Sequence, residues 1–412
     1  MNEFLPDSQY GFRLGRSVSM ALTVAQNDWI HAKSKNEVVG LMAFNLSAAF
    51  DTLDHSTLLS KLKNAGISGV PLKWFQSYLS DRYQSVQWNN HLSSSLPIKR
   101  GVPQGSILGP ILFLVMIYDM PNHLIKDSLT ASSRIIGYAD DTTVYIKAKT
   151  LQILSMEFER LASIMIDYCN ENNLVINSQK TQILTSSKQQ IKVKIGQNMV
   201  SSSETICLLG LEYDENFSTA PYLRRLSREA STREALIKRL SFGMPNCLLK
   251  PFANGLLMGK ILAAAPATTP VRIKDEDRSL IGVTEDINKS IKAVARTITK
   301  TKLSDKIHSE TVLSRAGLKC LNEAVASIMA VTVWKSKQAM HPLGRLLFQE
   351  HPRERCTRSA TSNNICQPVP GYPTLPSNLM AKIWNSVPGL QSATTLGAAK
   401  TLSRKWAKSI PR

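Results

Sequence analysis

Residues 134–146, RIIGYADDTTVYI, place two adjacent carboxylates between two short runs of β-branched and aromatic residues. Such runs are typical of strands, and the pattern predicts a hairpin with Ala139, Asp140 and Asp141 at its turn. An Asp in a turn commonly accepts hydrogen bonds from its own backbone, so the pair alone also fits a purely structural turn.

A second stretch gives this hairpin a possible chemical role. Residues 38–44 form a nearly continuous apolar run, as a buried central strand requires. If that strand ends beside the hairpin tip, it can supply a further ligand next to Asp140 and Asp141. Oxygen ligands from different strands can hold two Mg²⁺ ions roughly 3.5–4 Å apart, which is the arrangement used in two-metal phosphoryl transfer.

The apolar pattern of the whole chain predicts an α+β first half and a mostly helical second half. In the first half it predicts helices at about 17–33, 56–65, 71–80, 105–118 and 151–172, a hairpin at 83–98, and strands near 174–186 and 206–213. In the second half it predicts an amphipathic basic helix at 222–240, a long helix from Ser309 to about Met340 with a break at Gly317, a linker at 351–380, and a last helix at 390–408.

The positive charge of the chain lies entirely in its second half. Residues 1–220 contain 19 basic and 19 acidic side chains, whereas residues 221–412 contain 31 basic and 12 acidic ones. This asymmetry is typical of a protein whose second half binds a polyanion, most often nucleic acid. A solvated cationic face or an anionic membrane surface is the alternative.

The cysteines and the apolar runs indicate an intracellular protein, in the cytoplasm or the nucleus. Six scattered cysteines without a CxxC pair argue against a zinc site. The first residues contain neither a basic segment nor an apolar core of a signal peptide. The longest apolar run, residues 107–118, is too short to span a bilayer, so no membrane partner is expected.

Five segments in fixed order carry a resemblance to a known family. They are QYGFRLGRS at 9–17, NLSAAFDTLDH at 45–55, RGVPQGS at 100–106, YADD at 138–141 and NSQKT at 177–181. Together they resemble the successive motifs of the reverse transcriptase of non-LTR, LINE-type retrotransposons of the jockey-like group. CLLGL at 207–211 is similar to the primer-grip turn that follows in this family.

The resemblance implies a right-hand polymerase fold: partial fingers at 1–36, a palm with a central antiparallel sheet at 37–220, a helical basic thumb at 221–350, the linker at 351–380 and a basic helical tail at 381–412. It also implies RNA-directed DNA synthesis from deoxynucleoside triphosphates, with an RNA template, a DNA primer and their RNA–DNA hybrid as partners. The expected cofactor is Mg²⁺, with Mn²⁺ as a possible substitute.

The resemblance assigns roles to individual residues. Asp140 and Asp141 are the expected metal ligands, and Lys180 is a candidate general acid for the leaving pyrophosphate. The expected nucleotide-binding residues are Phe50 as steric gate, Gln104, Gly105 and Tyr138. Without the motifs, Phe50 would be a core aromatic residue and Lys180 a solvated surface residue.

The basic helix of the second half is the expected contact with nucleic acid. Its phosphate-binding candidates are Arg224, Arg225, Arg228, Lys238 and Arg239. Trp334, Trp384 and Trp406 could stack on bases, but aromatic residues spaced along helices more often belong to the core.

Asn45 departs from the family pattern, which has an aspartate as third metal ligand at this position. The amide keeps one carbonyl oxygen and loses the negative charge, so weaker metal binding is expected. Asp51 and Asp54 are expected to be structural, in a chain that has already entered a helix. The late start within the fingers motif suggests a 5′-truncated copy with impaired polymerase activity. The alternatives are a non-catalytic nucleic-acid-binding protein and an unselected remnant.

Overall fold

The structure is a computed structural model that describes residues 4–125, 132–273, 282–339, 342–348 and 375–410. The chain divides into two compact units. One contains Met1–Arg16 and Ala32–Leu209, and the other contains Ser17–His31 and Gly210–Arg412. The border after Leu209 lies close to the palm boundary expected at 220, whereas Ser17–His31 groups with the second unit and not with the other residues of 1–36.

The first unit contains eleven strands among its described residues. They are β1 (Val38–Phe44), β2 (Tyr83–Gln84), β3 (Gln87–Trp88), β4 (His91–Leu92), β5 (Leu96–Pro97), β6 (Ser132–Tyr138), β7 (Asp141–Ala148), β8 (Gln182–Thr185), β9 (Lys192–Ile195), β10 (Asn198–Ser201) and β11 (Thr205–Leu208). Its helices are α2 (His55–Asn64), α3 (Gly69–Leu79), α4 (Gly109–Ile117), α5 (Met120–Ile125) and α6 (Leu151–Glu171). Helix α1 (Val18–Ser34) begins in the second unit and ends in the first.

A four-stranded antiparallel sheet forms the centre of the first unit, in the order β6-β7-β1-β8. Its apolar residues pack with α4 and α6 into one core that includes Met42, Val144, Phe113 and Phe158, all fully buried. The predicted central antiparallel sheet and the hairpin around residues 139–141 are therefore confirmed. The apolar run at 107–118 forms α4, and its residues are core residues.

The predicted hairpin at 83–98 is present as two short ladders, β2 with β5 and β3 with β4. Asn89 and Asn90, at its turn, both have positive φ angles of 43° and 66°. Asn tolerates this conformation better than most residues, which is why the sequence predicted the turn correctly.

The expectation that the chain is helical by Asp51 is wrong. Residues 47–52 form turns, and α2 begins only at His55. The backbone here bonds to remote segments: the Ser47 amide donates to the Val175 carbonyl at 2.7 Å, and the Gly101 amide donates to the Leu53 carbonyl at 2.8 Å. Strands β9 and β10 were not predicted.

The second unit is mostly helical, as predicted. Besides the first part of α1 it contains β12 (Leu211–Asp214), α7 (Ala220–Leu240), α8 (Asn246–Ala253), a π-helical turn (Asn254–Met258), α9 (Gly259–Leu262), α10 (Ala265–Thr268), α11 (Gly282–Thr299), α12 (Ser309–Ala316), α13 (Leu321–Ala339), α14 (Pro342–Phe348), α15 (Pro376–Ser386) and α16 (Leu396–Ala407). The break at Gly317 is confirmed, between α12 and α13.

Two details of the C-terminal prediction need correction. Residues 351–374 of the expected linker lie outside the described residues, but 376–380 are helical and belong to α15. The last helix begins at Leu396 and not at about 390.

Two of the tryptophans in this unit are core residues. Trp334 is buried and its indole Nε1 donates to the Ala393 carbonyl at 2.8 Å, and Trp384 is fully buried.

One helical stretch within the described residues, Asn246–Thr268, is long and apolar enough to cross a membrane by length and composition. One third of its apolar window, 33%, is buried inside the protein. A core helix can have the same length and composition, so a single stretch of this kind is weak evidence for a membrane span.

Candidate active site

The tip of the β6–β7 hairpin carries the two adjacent carboxylates. Tyr138 pairs with Asp141 as the last pair of the ladder, and Ala139 and Asp140 form the turn. Although Asp141 is accessible to solvent, partial burial raises the pKa of its carboxyl, and the negative charge of Asp140 raises it further. Both effects favour an arrangement in which a cation neutralises the pair.

The central strand ends beside this tip. Phe44, the last residue of β1, pairs with Thr142 of β7. In an antiparallel pair the next residue on one strand faces the preceding residue on the other, so Asn45 lies across from Asp141. The Asn45 carbonyl accepts a hydrogen bond from the Asn177 amide at 2.7 Å. The structure therefore brings Asn45 and the carboxylate pair to one edge of the sheet.

Lys180 lies in the turn that follows this contact. The Asn177 side-chain Oδ1 accepts from the Lys180 amide at 3.1 Å, which fixes the turn, and the Lys180 side chain is exposed. The same turn is tied to Asn45 through the Asn177 amide, so the backbone of Lys180 is held near the end of β1.

Two loops, residues 47–53 and 100–106, pack together. The Val102 amide donates to the Phe50 carbonyl at 2.9 Å, and the Phe50 ring lies partly buried, 4.9 Å from the Phe113 ring between centroids. Gly101 has a φ of +83°, and a Cβ there would lie 2.7 Å from the Asp51 carbonyl oxygen. This position therefore needs glycine, and it sets the loop 101–106 against residues 50–53.

Gln104 has a partner that the sequence did not predict. Its Nε2 donates to both carboxylate oxygens of Asp51, at 2.8 and 2.9 Å. Gly105 follows with a φ of +81°, and no atom lies within 4 Å of the position that a Cβ would take, so the space beside its Cα is open. The other acid of this region, Asp54, caps α2 by accepting from the Thr57 amide at 2.9 Å.

The basic residues of α7 belong to the second unit. One face of α7 is buried through Tyr222, Leu223, Leu226, Ala230 and Ile237, and the exposed residues include Arg224, Arg228, Lys238 and Arg239. Arg225 differs from these four, because it donates to the Gly210 carbonyl at 3.0 Å and lies 3.8 Å from the Glu229 carboxylate.

Comparison with known families agrees with this geometry. The family model of reverse transcriptase (RNA-dependent DNA polymerase) matches residues 1–213, more than half of the 412-residue chain. The chain belongs to the reverse transcriptase family. The match includes all five motifs and the whole central sheet, so the predicted family is confirmed.

Similar polymerases from mobile elements indicate the branch of the family to which the chain is related. Over 235 residues, the chain is 26% identical to the RNA-directed DNA polymerase from mobile element jockey of Drosophila melanogaster. This match covers 56% of this chain and 26% of the relative. Over 379 residues, it is 24% identical to the RNA-directed DNA polymerase from mobile element jockey of Drosophila funebris. This match covers 87% of this chain and 40% of the relative. This reverse transcriptase is therefore jockey-like and of the LINE type. The chain spans about a quarter to two-fifths of the length of these relatives.

Solved telomerase structures are more distant. The telomerase from Candida albicans in complex with a TWJ fragment of telomeric RNA is 14% identical, with a TM-score of 0.42, and the match covers 80% of this chain and 50% of that one. The apo telomerase from Candida tropicalis is 13% identical, with a TM-score of 0.41, over 81% of this chain and 56% of that one.

Reverse transcriptases use divalent metal ions. In the part of the chain that the structure describes, no three His, Cys, Asp or Glu residues are grouped so that they could hold a metal ion. The hairpin tip offers two carboxylates and, across the sheet, Asn45. Oxygen donors of this kind suit hard cations, so this set of donors fits a divalent metal ion. It supplies one negative charge fewer than three carboxylates would.

A further contact of the candidate site that the sequence pattern does not predict involves Gln9. Gln9 was recognised as part of a motif but received no role, and the structure places it against the hairpin tip. The local sequence around Gln9 carries no signal for this contact. Its partner, Ala139, lies 130 residues further along the chain.

Proposed function

We propose that the β6–β7 hairpin tip is the nucleotidyl-transfer site of this reverse transcriptase and that Asn45 limits its activity. The observation that supports the proposal is the sheet register: β1 ends at Phe44, which pairs with Thr142, so Asn45 is the next residue on β1 and Asp141 is the preceding residue on β7. An aspartate at this position would add a third carboxylate to the donor set. Asn45, in place of that aspartate, therefore removes one negative charge from the place where a cation is expected.

The proposed reaction joins a deoxynucleoside triphosphate to a DNA primer that is paired with an RNA template. Asp140 and Asp141 would hold Mg²⁺, or Mn²⁺ in its place. When bound, such ions activate the primer 3′-hydroxyl and neutralise the leaving pyrophosphate. Lys180 would donate a proton to the leaving group, and its exposed side chain on a turn tied to Asn45 supports this role.

The nucleotide would lie between the hairpin tip and the loop 101–106. Phe50 would exclude a ribose 2′-hydroxyl, which its packing on Phe113 and its partial exposure support. Gly105 offers open backbone, and Tyr138 lies at the base of the tip. Gln104 would have to exchange its Asp51 partner for the nucleotide or the template pair.

Primer extension tests the proposal. Four full-length proteins are compared on an RNA template with a DNA primer in Mg²⁺ and in Mn²⁺: the unchanged chain, Asn45→Asp, and Asp140→Ala in each background. Asn45→Asp is expected to raise extension at least tenfold over the unchanged chain, and Asp140→Ala to abolish that gain. A folded Asn45→Asp protein that binds hybrid and extends no faster than the unchanged chain would refute the proposal.

A second candidate function is non-catalytic binding of nucleic acid. The observation that favours it is the row of exposed basic residues on α7, which lie within residues 221–412, the part of the chain that carries the entire excess positive charge. In this case Asp140→Ala and Asn45→Asp leave the affinity for RNA–DNA hybrid unchanged and neither protein extends a primer. Primer extension by the same four proteins decides between the two functions, and filter binding checks that each protein still binds the hybrid.

A further inference from the structure

The segment before α1 forms an additional edge of the central sheet, beside β6. The Tyr10 amide donates to the Gly137 carbonyl at 2.7 Å, and the Gly137 amide donates to the Ser8 carbonyl at 2.8 Å. Gln9 and Gly137 thus form a parallel bridge. This pairing ends one residue before Tyr138, at the base of the tip that carries the two carboxylates.

The Gln9 side chain reaches further, to the turn itself. It is 5% exposed, and its Oε1 accepts from the Ala139 amide at 3.3 Å and from the Gly11 amide at 2.9 Å. Its Nε2 lies 3.5 Å from the Ala139 carbonyl oxygen, which it faces as a donor. One buried carboxamide therefore contacts both backbone polar groups of Ala139.

Ala139 is the residue that needs such support. Its φ is +58°, in the left-handed region. For a residue with a Cβ this conformation is unfavourable, and it persists only where the surroundings hold it. Ala139 directly precedes Asp140, so its conformation affects how Asp140 leaves the turn beside Asp141, which pairs with Tyr138.

Gly11 allows the segment to approach this closely. A Cβ at residue 11 would lie 2.4 Å from the Ala139 nitrogen and 3.0 Å from the Tyr138 carbonyl carbon. Both are backbone atoms that cannot move aside without shifting the tip. The residue pair Gln9 and Gly11 is therefore fitted to the peptide between Tyr138 and Ala139.

We propose that Gln9 is a positioning residue: it holds Ala139 in the left-handed conformation and thereby fixes Asp140 and Asp141 as a metal-binding pair. The metal-binding part rests on the proposed function, because it requires that the two carboxylates hold an ion. The holding of Ala139 does not depend on it. Substitution of a residue that orients metal ligands typically weakens metal binding about 10–100-fold.

The test uses full-length proteins and two measurements, Mn²⁺ affinity by EPR titration and hydrogen exchange of the peptide 137–142. Gln9→Met removes the carboxamide and keeps the length of the side chain. Gln26→Met is the matched control, since Gln26 is also 5% exposed and donates to the Tyr213 hydroxyl and the Ala267 carbonyl in the other unit. Gln9→Met is expected to weaken Mn²⁺ binding at least tenfold and to speed exchange at the tip, and Gln26→Met to change neither.

A rescue variant separates positioning from general stability. Ala139→Gly adopts a positive φ without the Cβ penalty, so the turn no longer needs Gln9. In that background Gln9→Met is expected to weaken Mn²⁺ binding less than threefold. An equal loss in both backgrounds, or an Mn²⁺ affinity of Gln9→Met within twofold of the Gln26→Met protein, would overturn the proposal.

Two further outcomes are decisive. If Gln9→Met alone does not fold, the double variant with Ala139→Gly is expected to fold and to bind Mn²⁺; its failure to fold would show that Gln9 supports the fold and not the turn. If Asp140→Asn leaves Mn²⁺ affinity unchanged, the metal site itself is wrong, and the proposed function fails. Exchange at the tip then still decides whether Gln9 holds Ala139.

Discussion

At the scale of single residues, the acids around the candidate active site differ in their partners. Asp54 is occupied as a helix cap and Asp51 by the Gln104 carboxamide. Asp140 and Asp141 stand together at a turn, where burial and mutual repulsion raise the pKa of Asp141. The contacts of Asp51 and Asp54 are structural, which leaves the adjacent pair as the carboxylates suited to a cation.

Asp54 is expected to stabilise α2 in a pH-dependent manner. Hydrogen bonds from the Ser56 hydroxyl and the Thr57 amide lower the pKa of Asp54 below its usual value, so its contribution is present at neutral pH and is lost as the pH falls below about 4. Asp54→Ala should cost about 1 kcal/mol at pH 7. Asp54→Asn keeps the capping oxygen and should retain most of the stability, with no loss on acidification. Thermal unfolding at pH 7 and pH 3.5 measures both, and equal pH profiles for Asp54 and Asp54→Asn would contradict the assignment.

Tyr168 is expected to stabilise the ion pair between the buried Lys61 ammonium and the partly exposed Asp119 carboxylate in the first unit. Its hydroxyl donates to the Asp119 carboxylate at 2.6 Å and accepts from the Lys61 ammonium at 3.0 Å, and Lys61 itself pairs with Asp119 at 2.7 Å. Tyr168→Phe removes a hydrogen bond to a charged group, which should cost about 1.5–3 kcal/mol. Asp119→Asn should cost more, because it leaves the Lys61 charge buried without its counter-ion. Urea unfolding ranks the two variants, and a Tyr168→Phe protein as stable as the unchanged chain would refute the prediction.

At the scale of elements, the sequence pattern predicted the strands and turns whose conformation depends on neighbouring residues. The alternation in residues 134–146 predicted β6, β7 and their turn, and Asn89-Asn90 predicted the small hairpin. The start of α2 was missed because the backbone of 47–53 bonds to segments around 101 and 175, and a local pattern contains no information on such partners. The contact of Gln9 with Ala139 was missed for the same reason. Strands β9 and β10 do have a local pattern, the alternating KVKI before Gly196.

The turn of the small hairpin gives an element-scale prediction. Asn90 has a φ of 66°, so Asn90→Ala should destabilise this hairpin by about 1 kcal/mol, while Asn90→Gly should not. Because residues 83–97 are nearly all exposed, the effect should stay local. Hydrogen exchange in residues 86–93 should be roughly fivefold faster in Asn90→Ala, with no change at α6. A loss of protection throughout the first unit would show that the hairpin supports the core.

At the scale of the whole molecule, the two units differ in charge and in predictability. The first unit contains the motifs and the central sheet that identify the family, and the second is a helical unit characterised mainly by its positive charge. The exposed face of α7 could be predicted from its periodicity, but the engagement of Arg225 with Gly210 and Glu229 could not. The net charge alone therefore predicted binding to a polyanion, but it did not predict which side chains remain available for that binding.

Salt dependence tests whether α7 contacts phosphates. Arg224→Gln combined with Arg228→Gln should weaken binding to RNA–DNA hybrid and reduce the slope of log K against log salt by roughly 2, about one per lost phosphate contact. Lys188→Gln, an exposed lysine of the first unit, is the control and should leave the slope unchanged. Fluorescence anisotropy between low and moderate salt measures the slope, and an unchanged slope in the double variant would exclude α7 as the binding surface.

The most direct test of the account is the Mn²⁺ affinity of Asn45→Asp compared with that of the unchanged chain, measured by EPR titration. If Asn45 stands where a third carboxylate belongs, Asn45→Asp should bind Mn²⁺ at least about tenfold more tightly, and Asp140→Asn should remove this gain. Equal affinities for a folded Asn45→Asp protein and the unchanged chain would contradict the account, because residue 45 would then have no part in holding the ion.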